Sequence, residues 1–178
     1  ARLVPLPAGR VELDMVRDDL AVSARADVSG NASLIELENL TVQGAGALVS
    51  GDLVVNAESG TMAGDLNGSV QDLSSFRDLV GQELSGRAGF SHLLFGEDDV
   101  QNAVLDLRVD ELLSSSGGAR RLDLKAEASN VLREPTADAT LRVQGFQHDR
   151  IRMEELVLHA VGGAADLSFD LQARGHAG

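Results

Sequence analysis

A mainly β chain, one long run of strands whose apolar side chains share a face, is what this sequence predicts. Three observations carry that prediction. Apolar residues recur at every second position through most of the chain, the period of a strand with one apolar side. Glycines, 19 among 178 residues, stand at the ends of the alternating runs, where a chain turns or bulges. A single stretch, 72–80, changes to three- and four-residue spacing.

Taken in order, Val11, Leu13 and Met15 alternate with Glu12 and Asp14, and the pair Asp18-Asp19 connects them to Leu20, Val22, Ala24, Ala26 and Val28. This is a hairpin pattern with one apolar and one polar side. After Ser29-Gly30-Asn31, Ile35 and Leu37 alternate normally; the phase then slips by one residue at Glu38-Asn39 and resumes with Leu40 and Val42. A β-bulge supplies such a slip while keeping the apolar side chains on one face. The segment 46–95 organises the rest: Val49, Leu53, Val55 and Ala57, then Met62, Leu66 and Val70, then Leu84, Ala88, Phe90 and Leu94 fall at even spacings. Between the second and third of these runs, Leu73, Phe76 and Val80 have helical spacing, with Asp72 placed as N-cap and Gly81 as stop, so one or two helical turns are expected over 72–80.

Beyond the acidic turn at 96–99, Ala103, Leu105, Leu107 and Val109 form the next strand, and 114–119 reads as a loop. Leu122, Leu124, Ala126 and Ala128 follow, ended by Glu134-Pro135-Thr136; then come Ala137, Ala139, Leu141 and Val143, with 145–149 as connector. The final pair is 151–160, carrying Ile151, Met153, Leu156 and Leu158, and 165–173, carrying Leu167, Phe169 and Leu171. The stretch 151–173 repeats 35–57: Ile35, Leu37, Leu40, Val42 and Gly46 align with Ile151, Met153, Leu156, Leu158 and Gly162, and both copies slip phase at the same place. A repeat implies an extendable stack of similar strands. The expected organisation is a flexible start over 1–9, a single domain over 10–174 and a tail over 175–178.

Composition narrows the partners. The chain carries 15 basic and 28 acidic residues, a formal net charge of −13, whereas nucleic-acid binding needs a clustered positive field. The acids alternate with the apolar positions and read as a solvated outer face. With no Cys, neither disulfides nor thiolate metal sites can form, and no apolar run approaches the length that spans a bilayer. Five Phe and no Trp or Tyr leave the apolar face to Leu, Val, Ile and Ala.

About eleven strands at ~4.8 Å spacing make a sheet roughly 50 Å long. One short helix cannot cover its apolar side, so the sheet is expected to fold over on itself. Two arrangements satisfy that expectation: a flattened sandwich with a dry core, or a trough whose walls stay apart and hold something apolar.

The alternating aliphatic strands with their glycines, the segment DLSSFRDLVGQELSGRAGF and the ending IRMEELVLHAVGGAADLSFDLQARG resemble the TamB and AsmA-like family of translocation and assembly module proteins, over nearly the whole chain from about Gly9. The resemblance implies a periplasmic protein of a Gram-negative bacterium, anchored in the inner membrane. It implies a β-taco, a curved sheet with a hydrophobic groove that carries phospholipid toward the outer membrane and supports outer-membrane protein assembly and secretion with a barrel partner of the TamA type. On that reading the chain is an internal segment, lacking the anchor, and a purified piece self-associates through its open face. The groove would be lined by the even-spaced aliphatics named above, with Leu73, Phe76 and Val80 as a cap or gate, and neither a cofactor nor catalysis is expected.

Other features invite sharper readings and do not sustain them. His92, His148, His159 and His176 are scattered singly and are expected to be surface or turn residues. Glu97-Asp98-Asp99 lacks the ligand spacing of a calcium loop, and GAGALVSG from Gly44 leads into a strand and lacks the phosphate-loop lysine. The sequons at Asn31, Asn39 and Asn67 are expected to be turn chemistry. The expectation is therefore a non-enzymatic groove for acyl chains. Two alternatives stand beside it: a chaperone groove for unfolded outer-membrane strands, and a structural or adhesin-like repeat module with a dry core.

Overall fold

The computed structural model describes residues 8–17, 20–97 and 99–177. Eleven strands follow one another along the chain: β1 (Gly9–Arg17), β2 (Leu20–Gly30), β3 (Leu34–Gly44), β4 (Ala47–Asn56), β5 (Met62–Val70), β6 (Leu84–Glu97), β7 (Val100–Ser114), β8 (Gly117–Ser129), β9 (Thr136–His148), β10 (Ile151–Gly163) and β11 (Leu167–Ala177). Each pairs antiparallel with the next, so the strand order equals the chain order and the sheet is an unclosed meander with β1 and β11 at its edges. The connections dictate this topology. Links as short as Ala45-Gly46, Ser115-Ser116 and Asp149-Arg150 can only reverse the chain, whereas a parallel pair needs a crossover of a dozen residues or more. Ala45 and Gly46 both have positive φ, at 49° and 73°, the backbone of a two-residue hairpin turn whose twist matches the strands.

Strands run longer than the alternation implied. The expected loop over 114–119 shrinks to Ser115-Ser116, and the expected connector over 145–149 is mostly strand, β9 running through His148. The reason is glycine: Gly117 at φ 141° and Gly145 at φ 64° bend the backbone within or at the start of a strand, where ladder pairing continues, so the chain need not reverse there. β11 likewise extends to Ala177, into the expected tail. The Asp18-Asp19 connection, Asp98 and residues 1–7 lie outside the described residues; Arg17 pairs with Leu20 across the first of these.

The predicted phase slip is a bulge. Register between β3 and β4 shifts between Leu37 and Leu40, with Asn39 left-handed at φ 54°, and Asn39 donates its backbone N–H to Asp52 Oδ1 at 2.7 Å. Its counterpart in the repeat behaves the same way, since β10 shifts register against β11 between Met153 and Glu155. The copies differ at their glycines: Gly46 turns the chain, whereas Gly162 stays inside β10 at φ 138°. Of the three sequons, Asn31 accepts from the backbone N–H of Ser33 and Leu34 as a turn residue should. Asn67 instead sits in mid-strand β5 and donates to Asp65.

The helical segment forms as a 3₁₀ turn over Leu73–Phe76 leading into a one-turn helix, α1 (Arg77–Val80). Asp72 caps it by accepting from the Ser74 N–H at 2.9 Å, a bond that holds its carboxyl below the usual carboxylate range, and Gly81 closes it in the left-handed conformation. Leu73 and Phe76 are half-buried, but Val80 is 50% exposed, so the segment covers a small area.

Where the ladder is incomplete, a side chain completes it. Gln101, 2% exposed, accepts from the Met62 N–H at 2.6 Å and donates to the Met62 carbonyl at 3.0 Å, replacing the backbone partner that β5 lacks at that point.

Candidate functional site

The pairing register aligns side chains into rows that cross the whole sheet. Leu13, Ala24, Val42, Val49, Gly68, Phe90, Leu107, Leu124, Leu141, Leu158 and Leu171 are successive cross-strand partners, one from each strand. Two residues along lies a second such row, Met15, Val22, Gly44, Ala47, Val70, Ala88, Val109, Leu122, Val143, Leu156 and Ala173. On the other side of the first row runs a third, through Leu40, Gly51, Leu66, His92, Leu105, Ala126, Ala139, Ala160 and Phe169, with Val11 and Ala26 at the β2 bulge. A fourth passes through Val28, Leu37, Leu53, Leu94 and Ala103 to Leu167.

Cross-strand partners and residues two apart share a face, so these four rows form one continuous apolar surface. Ile35, Val55 and Met62 add a short fifth row over β3 to β5. Leu84, Ile151 and Met153 lie at the other end, past the register shifts, and do not join the rows in register. The side chain of Leu20 lies outside the described residues.

Among the described residues no second layer covers this surface. The buried apolar residues among those described are Ala26, Val109 and Ala119, and no large side chain is fully buried. The accessible surface is 12081 Å², against ~8,300 Å² for a compact monomer of this mass. A dry-cored sandwich buries its large aliphatics, and this chain does not. Central side chains such as Leu107 and Leu124 are half-buried by their neighbours on the same face, while at the edges Leu13 is 60% and Phe169 66% exposed. Four rows about 7 Å apart, each crossing eleven strands at ~4.8 Å, span roughly 1,000 Å² in projection. Ordinary monomers expose patches of ~300–600 Å².

Glycine shapes the surface where β4, β5 and β6 meet. A Cβ on Gly68 would lie 2.1 Å from Phe90 Cε1, so the Phe90 ring lies over the glycine and fills its place in the row. Gly51 and Gly64 have φ of 157° and 143°, a backbone closed to other residues, and their strands approach so closely that a Cβ would sit 1.9 and 2.0 Å from the carbonyl oxygens of Asp65 and Asp52.

The opposite face is polar and ordered by ion pairs. Glu12, Arg25, Thr41, Ser50, Asn67, Ser91, Asp106, Lys125, Thr140, His159 and Asp170 form its central row. Direct cross-strand pairs include Arg10 Nε with Asp27 Oδ1 at 2.9 Å, Arg108 Nε with Asp123 Oδ1 at 3.0 Å and Arg121 Nε with Asp110 Oδ1 at 2.9 Å. Arg10, seconded by the Asn39 amide, holds the Asp27 carboxyl below the usual carboxylate range, and Asp110 raises the Arg121 guanidinium. Exposed pairs of this kind add little to stability, but they penalise a slipped register and keep this face in water. Leu48, 44% exposed, interrupts it, and so do Leu93 and Phe95, 48% and 44% exposed, with Val104 as the cross-strand partner of Leu93.

The histidines divide unexpectedly. His159 lies on the polar face, 2.8 Å from Asp138, and His148 bonds the Ser116 carbonyl at a turn; the side chain of His176 lies outside the described residues. His92 is half-buried in mid-strand β6, on the uncovered apolar face. It sits in the third apolar row between Leu66 and Leu105. The signal was present in the sequence, since 92 is even like 88, 90 and 94. Among the described residues no group of three or more His, Asp or Glu side chains converges in a way that could hold a metal ion. No helix is long and apolar enough to cross a membrane. Compared with protein-family models, with curated proteins and with solved structures, the chain matches none.

Proposed function

We propose that this chain is a non-enzymatic lipid-handling segment whose aliphatic face shields acyl chains from water. The reading is the one implied by the resemblance to the TamB and AsmA-like family: a stretch of a periplasmic protein that passes phospholipid toward the outer membrane and supports assembly there with a barrel partner. The observation that carries it is the set of apolar rows crossing the eleven strands, with no layer among the described residues covering them.

The physical logic runs from the rows to the task. Exposing an acyl chain to water costs ~0.8 kcal/mol per CH₂, and a continuous aliphatic surface removes most of that cost at every point along its length. The rows repeat Leu, Val and Ala from strand to strand, so successive positions offer similar contact and no deep well to hold the cargo. A sandwich module would need a second layer to explain the same residues.

The test is ligand capture. The chain purified under native conditions is expected to carry copurifying phospholipid, detected by mass spectrometry, and to enhance an apolar fluorescent dye. Leu107→Arg, placing a charge in the middle of the central row, is expected to cut dye binding at least severalfold while the circular dichroism stays that of a sheet. Absence of both lipid and dye binding from the folded wild-type chain would overturn the reading.

A further inference from the structure

We propose that His92 is the point at which the apolar face recognises the charged end of an anionic amphiphile. The inference rests on the lipid-handling reading and names a specificity that the aliphatic rows cannot supply. β6 is the sixth of eleven strands, so His92 stands at the centre of the surface. Its cross-strand partners are Leu66 and Leu105, and Phe90 and Leu94 flank it along the strand.

The imidazole is half-buried and, among the described residues, has no hydrogen-bond or ion-pair partner. Charged residues of the strands beside it, Asp65 on β5, Arg87 on β6, and Asp106, Arg108 and Asp110 on β7, occupy alternate positions and belong to the opposite face; Glu111 lies past the register shift, paired with Arg87. Among the described residues no ionic group competes for His92. Its diagonal neighbours on β5 are both glycines: the Phe90 ring fills the space at Gly68, and Gly64 contributes no side chain, which leaves room for a ligand atom beside the ring.

Two consequences of opposite sign follow. A hydrocarbon laid over His92 leaves its N–H without a partner. An anionic group set beside it gains a charge-assisted hydrogen bond once the ring is protonated. Anionic amphiphiles therefore gain on neutral-headed amphiphiles of equal chain length as the solution is made more acid.

Dodecyl sulfonate, anionic at all relevant pH, and dodecyl maltoside, both below their micelle concentrations, provide the comparison on the 178-residue chain. Between pH 8 and pH 5.5 the ratio of their affinities is expected to shift toward the sulfonate by about fivefold in the wild type, the size of a half-exposed charge-assisted bond. His92→Leu should bind both ligands with a flat ratio, and His92→Gln, polar but uncharged, should be flat as well. An equal shift in wild type and His92→Leu, or none in the wild type, overturns the assignment of His92 while leaving the groove intact. Failure of both amphiphiles to bind any of the three proteins overturns the lipid-handling reading, and this proposal with it.

Discussion

Alanine at Gly64 and alanine at Gly68 should have very different consequences, although the two glycines share a strand and a face. At Gly64 the backbone has φ 143° and the new Cβ would lie 2.0 Å from the Asp52 carbonyl oxygen and 2.9 Å from Leu53 Cα. Reaching ordinary contact requires β4 and β5 to part by about 1 Å, enough to break one or two ladder hydrogen bonds at ~1 kcal/mol each. The glycine-only conformation adds ~1–3 kcal/mol, for a total of about 2–5 kcal/mol. At Gly68 the obstacle is the Phe90 ring, whose Cε1 would lie 2.1 Å away; the ring can rotate off, and alanine's smaller unfolded-state entropy recovers ~0.4–1 kcal/mol. The net cost there should be about 1 kcal/mol or less. Urea unfolding followed by circular dichroism, compared at equal slope, measures both. If Gly64→Ala destabilised no more than Gly68→Ala, the close approach of β4 and β5 would be wrong.

Gln101→Leu leaves the Met62 N–H and carbonyl without partners at the start of β5, so a loss of about 2–3 kcal/mol is expected, with hydrogen exchange at Met62 accelerated; an unchanged exchange rate would refute the stitching role. Asp27 titrates below the usual carboxylate range because Arg10 and Asn39 hold its ionised form, so its contribution is present above the unfolded-state value and fades as pH falls through the lower folded-state value. The thermal midpoint of the wild type should therefore fall more steeply below about pH 4 than that of Asp27→Asn, and parallel curves would refute the linkage.

How much of this was legible in the sequence depends on what each residue's surroundings can encode. Alternation revealed the strands and their apolar face, because period two is a local property. Asp72 and Gly81 bracketed the helical turn for the same reason, and the slip at Glu38-Asn39 marked a bulge that the register reproduces. Glycine misled: at Gly117 and Gly145 the same residue type that turns chains bends strands from within, and only the partner strand decides between the two. Pairing order and direction were hidden as well, since every strand presents similar aliphatics and the links at 115–116 and 149–150 are shorter in the structure than the sequence implied. His92 reads as a surface residue from its type, and only its even position marks it as belonging to the apolar face. Gln101 gave no local sign, because its role is set by an incomplete ladder 39 residues away.

The central claim is that lipid lies against one face of this sheet, and strand β7 tests it most directly. A photo-crosslinking residue placed in turn at positions 104 to 109, in cells producing the protein, samples both faces: Leu105, Leu107 and Val109 belong to the apolar rows, and Val104, Asp106 and Arg108 to the polar side. The account predicts capture of phospholipid at 105, 107 and 109 and none at the alternate positions. Capture at all six or at none, from a folded protein, would contradict it.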